Sequence, residues 1–164
     1  MTAELIRRLA ATPRTVALLV AEANDLRLDD FRGDEWSART ILAHFRDAEV
    51  LEMRLALERM LAEECPTLAF IPAPAWAAGR NRRRDRKEWL LGDFALQRQA
   101  SLAMLRGLAP EDWTRTGALG DRPPTTIESF VAFWARHDAA HIAQLEAALG
   151  ETLGDVLARR AQPL

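Results

Sequence analysis

His137 and His141 stand four residues apart in the stretch Trp134-Ala135-Arg136-His137-Asp138-Ala139-Ala140-His141-Ile142-Ala143-Gln144, which reads as helix. Both imidazoles therefore leave one helical face a turn apart, the way a helix offers two nitrogens to one metal ion. The sequence holds 3 histidines, and the third, His44, lies far upstream on another predicted helix. Each falls on an inward-facing seam, so three nitrogens converge if the two helices are neighbours. Three imidazoles with no obvious fourth protein ligand leave a coordination position open, the mark of a catalytic rather than a structural zinc. Neutral ligands also leave the ion its full charge, which lowers the pKa of a bound water or thiol toward neutrality. A plain helical scaffold with hydrogen-bonded core histidines is the competing reading.

Length and composition bound the class of protein. The 164 residues, 49% hydrophobic, suffice to bury a core, and the length suits a single domain over 1–164. A net charge of -2 gives no general affinity for nucleic acid or an anionic membrane. One cysteine, Cys65, rules out an intramolecular disulfide and fits a reducing cytosol. Glu4, Arg7, Arg8 and Arg14 interrupt the first apolar pattern, so it lacks a signal peptide's uncharged core. The uncharged run from Cys65 to Gly79 is too short to span a bilayer and is broken by Pro66, Pro72 and Pro74. A cytoplasmic protein without a membrane or nucleic-acid partner is expected.

The elements that must position the histidines follow from apolar spacing. Leu5, Ile6 and Leu9 begin a first helix; Thr12-Pro13 reads as an N-cap followed by a proline at the first helical position, predicting two pieces with a kink, and Val16, Leu19, Val20 and Ala23 continue the face. Residues 25–36, with Gly33 and 5 acidic side chains, read as a connection. Ser37 should cap a second helix running through Ile41, His44, Ala48, Leu51 and Leu55 toward Glu64, where Cys65-Pro66 stops it. A long connection, 66–84, follows and can cross or cover the bundle. Arg80, Arg82, Arg83, Arg84, Arg86 and Lys87 form the densest positive patch, read as a solvated segment or as a clamp for an anionic ligand.

A third helix is predicted from near Asp85 to before Pro110, with Leu91, Ala95, Arg98, Leu102 and Leu105 facing inward. Arg98 on that seam needs a carboxylate, Glu49 or Glu52, or a polar cavity to point into. After a connection through Gly117, Gly120, Pro123 and Pro124, Thr125 or Thr126 caps a fourth helix. Its seam is Ile127, Phe130, Trp134, His137, His141, Gln144 and Ala148, and Gly150 ends it. Consecutive His, His and Gln on a core seam require something there to satisfy them. A short C-terminal helix over 152–160 completes an all-α four-helix bundle with long connections and no strand pattern of useful length.

The segment Trp36-Ser37-Ala38-Arg39-Thr40-Ile41-Leu42-Ala43-His44-Phe45-Arg46-Asp47-Ala48-Glu49, with His137-Asp138-Ala139-Ala140-His141-Ile142-Ala143-Gln144-Leu145, resembles the DinB-like superfamily of metal-binding four-helix bundles. The resemblance extends over nearly the whole chain in its order of parts. It implies that His44, His137 and His141 bind a divalent metal ion, zinc or nickel. It also implies a kinship with thiol-dependent transferases and isomerases that use a low-molecular-weight thiol such as bacillithiol, mycothiol or glutathione, and a homodimer. Phe70, Trp76 and Trp89, which find no place on the predicted core faces, fit that last expectation.

The expected activity is a thiol-dependent S-transfer or isomerisation, in which a metal-held small-molecule thiol attacks an electrophilic small-molecule substrate. Asp138 and Gln144 are cast as orienting groups for imidazole or water. Arg98, or an arginine of 80–86, would hold an anionic end. Cys65 is a poor nucleophile, because 21 residues of continuous helix would put it about 31 Å from His44. The alternatives are a metal-dependent hydrolase and a non-catalytic metal-binding stress-response protein. The pattern His137-Asp138-x-x-His141 differs from the zinc-protease motif by an aspartate whose shorter arm weakens a general-base role.

Overall fold

Helical spacing and caps combine into four long rods in the computed structural model, which describes residues 1–30, 36–80, 82, 85–120 and 122–162. Helix α1 spans Thr2–Val20 and is followed by a short α2, Asp25–Leu28. Ser37 accepts from the Thr40 N–H to cap α3, Ala38–Ala48, which runs through a π-helical segment, Glu49–Arg54, into α4, Leu55–Ala62. Strand β1 (Thr67–Leu68) and helix α5 (Ala73–Gly79) lie in the long connection, and α6 spans Lys87–Arg106. Strands β2 (Thr116–Leu119) and β3 (Thr125–Thr126) precede α7, Ile127–Leu149, capped by Thr126. Gly150 ends α7 at φ 65°, a left-handed turn that a side chain would strain, and α8 spans Leu153–Arg160 behind a Thr152–Asp155 capping box. Helices α1 and α3 each pack on α6 and α7. Among the described residues no helix is long and apolar enough to cross a membrane.

The small sheet was not legible in the sequence. It has the order β1-β2-β3, with β1 parallel to β2 (Thr67 opposite Ala118) and β2 antiparallel to β3 (Thr116 opposite Thr126). Strands of two to four residues are too short for an alternating pattern to emerge. Within the connections read as 25–36 and 66–84, residues 31–35, Arg83 and Arg84 lie outside the described residues.

Two seams differ from expectation for physical reasons. The first helix is a single rod with Pro13 inside it, and Thr12 is not a cap but a buried side chain. On the second, Leu51 and Leu55 are exposed while Glu52, Met53, Ala56 and Leu57 are buried. The π segment adds a residue to the turn, so every inward position beyond Ala48 moves one along the chain. That shift turns Glu49 and Glu52 into the bundle.

The buried apolar side chains form two clusters. One gathers Val16, Leu42, Phe45, Phe94 and Leu145, the other Leu9, Leu57, Leu102, Phe130 and Trp134. A buried ionic layer ties the four rods together. Arg98 on α6 is 1% exposed and binds Glu49 Oε2 through Nε (3.0 Å) and Nη2 (2.8 Å). Its Nη1 and Nη2 reach Asp138 Oδ2 and Oδ1 at 2.6 and 3.2 Å, and the guanidinium lies over Phe94 and Trp134. Arg98 Nη1 also donates to the Leu9 carbonyl at 2.8 Å. That carbonyl would bond the N–H of residue 13 in an unbroken helix, and Pro13 has none to give. Thr12 Oγ1 then donates to Asp138 Oδ2 at 2.8 Å. Burial opposes the charge on both partners, yet their attraction wins: Asp138 is held below its ordinary pKa and Arg98 above.

Removing one member leaves the others charged and unpaired. Arg98→Met is expected to cost about 3–5 kcal/mol, and Thr12→Val about 1–3 kcal/mol, in urea unfolding followed by circular dichroism. An Arg98→Met protein as stable as the parent would contradict this arrangement.

Candidate metal centre

The ionic layer sets the rotation of α7. Successive residues of a helix turn by about 100°, so with Asp138 pointing inward His137 and His141 both project from the same flank, toward α3. There they meet His44, and the donor nitrogens of the three all lie within 4.8 Å of one another. His44 Nε2 faces His137 Nε2 at 3.1 Å, and the ring centroids of His44–His141 and His137–His141 are 4.5 and 4.4 Å apart. A tetrahedral ion with nitrogen bonds near 2.0–2.1 Å spaces its ligands by roughly 3.3 Å. The imidazoles therefore fit a divalent ion with little movement. His44 is buried while His137 and His141 are half-buried, so the set opens on the α7 side.

Each expected neighbour has a definite place. Gln144 is exposed rather than on the core seam, whose centre runs through Trp134, Asp138 and Leu145. Its Oε1 is 2.6 Å from His141 Nδ1, which holds the proton on that nitrogen and leaves Nε2 free as a ligand. Asp138 does not take the corresponding role for His137. Its Oδ1 is 3.8 Å from His137 Nδ1, beyond hydrogen-bond reach, and His137 Nδ1 is buried without a partner. Both Asp138 oxygens are occupied by Arg98 and Thr12.

Arg98 and Glu49 belong to that same layer, so Arg98 takes the pairing role and not the ligand-holding one. Burial pushes the Glu49 carboxyl above its ordinary pKa despite Arg98.

The basic segment is largely structural too. Arg80 meets Asp85 at 3.1 Å and Thr40 Oγ1 at 3.1 Å, and Arg86 lies over Trp89. Lys87 Nζ donates to the Ala23 carbonyl at 2.8 Å, just past the end of α1. These contacts fasten the connection across α3.

Aromatic walls that the sequence did not assign to the site surround the histidines, among them Trp76, which was expected at a dimer surface and is buried in the core instead. Trp36 stacks on His141 at 6.1 Å and meets His44 edge-on at 5.0 Å. Trp76, buried and locked by its Nε1 on Asp47 Oδ2 at 3.0 Å, lies 5.1 Å from His44. Phe133 sits 6.3 Å from His137. Two polar residues were also missed in their roles. Thr12 had a signal, since it continues the inward stripe Leu5, Leu9, Val16. Glu52, turned in by the π segment, accepts from the Ile71 N–H at 3.2 Å; burial raises its carboxyl, against the pull of that N–H and of His137.

Burial, then the neighbouring imidazoles, push His44 down to about 3, and burial and His137 push His141 down to about 4. Both are neutral at pH 7, with lone pairs to donate. Unfolded histidine titrates near 6.5, so below that pH the unfolded chain binds protons that the folded chain refuses. Stability of the metal-free protein is therefore full above about pH 6.5 and falls toward pH 4, by up to about 1.4 kcal/mol per pH unit for each of the two. Urea midpoints measured across this range should show it, and His44→Gln should flatten the slope.

Comparison with known proteins agrees with the fold. YfiT from Bacillus subtilis, described as a probable metal-dependent hydrolase with an unusual four-helix bundle topology, superposes with a TM-score of 0.77. The two are 21% identical over 92% of this chain and 89% of that one. No curated protein matches the sequence significantly. The sequence pattern of the DinB superfamily covers residues 4–145, which includes all three histidines and every member of the ionic layer. The chain belongs to the DinB superfamily.

Proposed function

We propose that His44, His137 and His141 hold one divalent metal ion, zinc or nickel, and that the protein is an enzyme transferring a small-molecule thiol to an electrophilic substrate. The convergence of the three imidazoles carries the reading. Such an ion supplies a Lewis acid that lowers the pKa of a coordinated thiol or water. The chain contributes the rest. Gln144 holds the His141 tautomer, while the ionic layer holds His137 at its angle. Trp36, Trp76 and Phe133 wall the site and limit access of water.

What favours a thiol over water is the state of Asp138. In the pattern His137-Asp138-x-x-His141 the acidic residue would be the base that takes a proton from water, and here its oxygens are spent on Arg98 and Thr12. A thiol coordinated to a metal loses its proton without a base. Hydrolysis is the second reading. It is supported by the description of YfiT and by Glu52, a buried carboxyl whose pKa burial raises. A homodimer belongs to the proposal as well, with exposed Leu51, Leu55 and Leu96 as apolar surface for it.

Protein purified without a histidine tag should carry about one metal ion per chain. His137→Ala and His141→Ala should lose it while keeping their helical circular dichroism, and Gln144→Ala should bind it about 10–100-fold more weakly. Equal metal content in wild type and both histidine variants would end the assignment. Thiol-dependent loss of monobromobimane, measured beside ester and amide hydrolysis, separates the two activities; hydrolysis alone would exclude the thiol reading.

A further inference from the structure

Beside the histidines, between the sheet and α7, lies a cavity of about 630 Å³ that the metal site does not use. Its size falls in the ordinary range for small-molecule sites. The lining is apolar at the bottom, with Leu68, Phe70, Leu119, Phe130 and Phe133. Arg122 and Arg136, both exposed, supply its charge, beside small residues and the hydroxyls of Thr67, Thr125 and Ser129. Among the described residues neither guanidinium has a hydrogen-bonded or ion-paired side-chain partner, whereas the buried Arg46 and Arg98 and the half-buried Arg80 are all paired.

The cavity is joined to the metal centre by shared walls. Phe133 stacks on Phe70 at 5.9 Å on one side and lies 6.3 Å from His137 on the other. Phe133 and His137 are one turn apart on α7, so a ligand lying along that face of the helix runs from the cavity to the histidines. Glu52 closes the circuit by holding the Ile71 N–H next to Phe70.

We infer that this cavity binds the apolar body of a substrate bearing a single carboxylate, with Arg136 and Arg122 taking the carboxylate at its mouth. Two unpaired guanidinium groups above an aromatic floor select an anion with a hydrophobic tail and disfavour a cation of the same shape. This deepens the proposed function, since the ligand's other end would face the three histidines. Binding itself depends only on the cavity.

The test is calorimetric titration with 4-phenylbutyrate, 4-phenylbutan-1-ol and 4-phenylbutylamine, on zinc-loaded and on chelator-treated protein. The carboxylate should bind at least about tenfold tighter than the alcohol in both forms, and the amine weakest. The double variant Arg122→Gln/Arg136→Gln, altered only at the cavity mouth, should bind the carboxylate and the alcohol alike. A carboxylate preference confined to zinc-loaded protein, and untouched by the arginine substitutions, would place the anion on the ion; this inference fails and the metal reading stands. A preference that persists in protein unable to hold zinc reverses that outcome. Binding that weakens as protein concentration rises would mean that a second copy fills the cavity, which also overturns the inference.

Discussion

The mutual setting of the four rods that carry the histidines depends on the charge of Arg98. A guanidinium in a protein interior is tolerated only when its donors are filled by groups of opposite charge or by carbonyls. Here the acceptors come from three other rods: Glu49 at the head of the π segment, Asp138 on α7, and the Leu9 carbonyl on α1. Pro13 appears at first to weaken α1, since a proline within a helix removes a hydrogen bond. In this bundle it frees the carbonyl that Arg98 needs, so a local fault becomes a tertiary contact. Phe94 and Trp134 cover the flat faces of the guanidinium and keep water from competing.

Function follows from how that layer constrains the helices. Asp138 can point at only one place, and this fixes the flank from which His137 and His141 project. The π segment does the same for the second rod. It leaves His44 on the unshifted side of the register and carries Glu49 and Glu52 inward on the shifted side. An α-helix continued through 49–54 would have turned Leu51 and Leu55 inward in place of Glu52 and Ala56. The apolar halves of the core supply the burial that stabilises the bundle, while the charged layer sets the rotation of its rods.

Much of this was legible in the sequence, and the failures have causes. Steps of three and four residues identified the four rods. The rule that buried histidines need a reason identified His44, His137 and His141 as a set. Arg98 was recognisable as a buried charge in want of a carboxylate, with Glu49 among its candidate partners. The π segment was not recognisable, because one extra residue in a turn leaves no mark in residue types, and so Leu51 and Leu55 were read as core. Thr12 was misread because a threonine before a proline looks the same at a helix start as within a proline-containing helix. Trp36 and Trp76 could not be assigned to the site, because their positions depend on how the connections fold across the rods, and Phe133, on α7 one turn before His137, was overlooked there. The Trp76–Asp47 hydrogen bond and the Arg46–Asp85 and Arg80–Asp85 ion pairs hold the 66–84 connection there, and two of these three join residues distant in sequence.

This division has a chemical consequence. The parts that hold the histidines are helices locked by buried charge, and they tolerate little change. The connections folded over them, α5 with Trp76 and the short strands, are fastened to the bundle by a few side chains, among them Asp47, Arg46, Arg80 and Asp85. A carboxylate spent on the scaffold, as Asp138 is, cannot also serve as a base, so in the proposed reaction a proton would leave from the coordinated ligand itself or pass through Glu52. Glu52 lies against the 66–84 connection through the Ile71 N–H. In the proposed function the bundle would hold the ion, and the segments folded over it would decide which nucleophile and which substrate reach it.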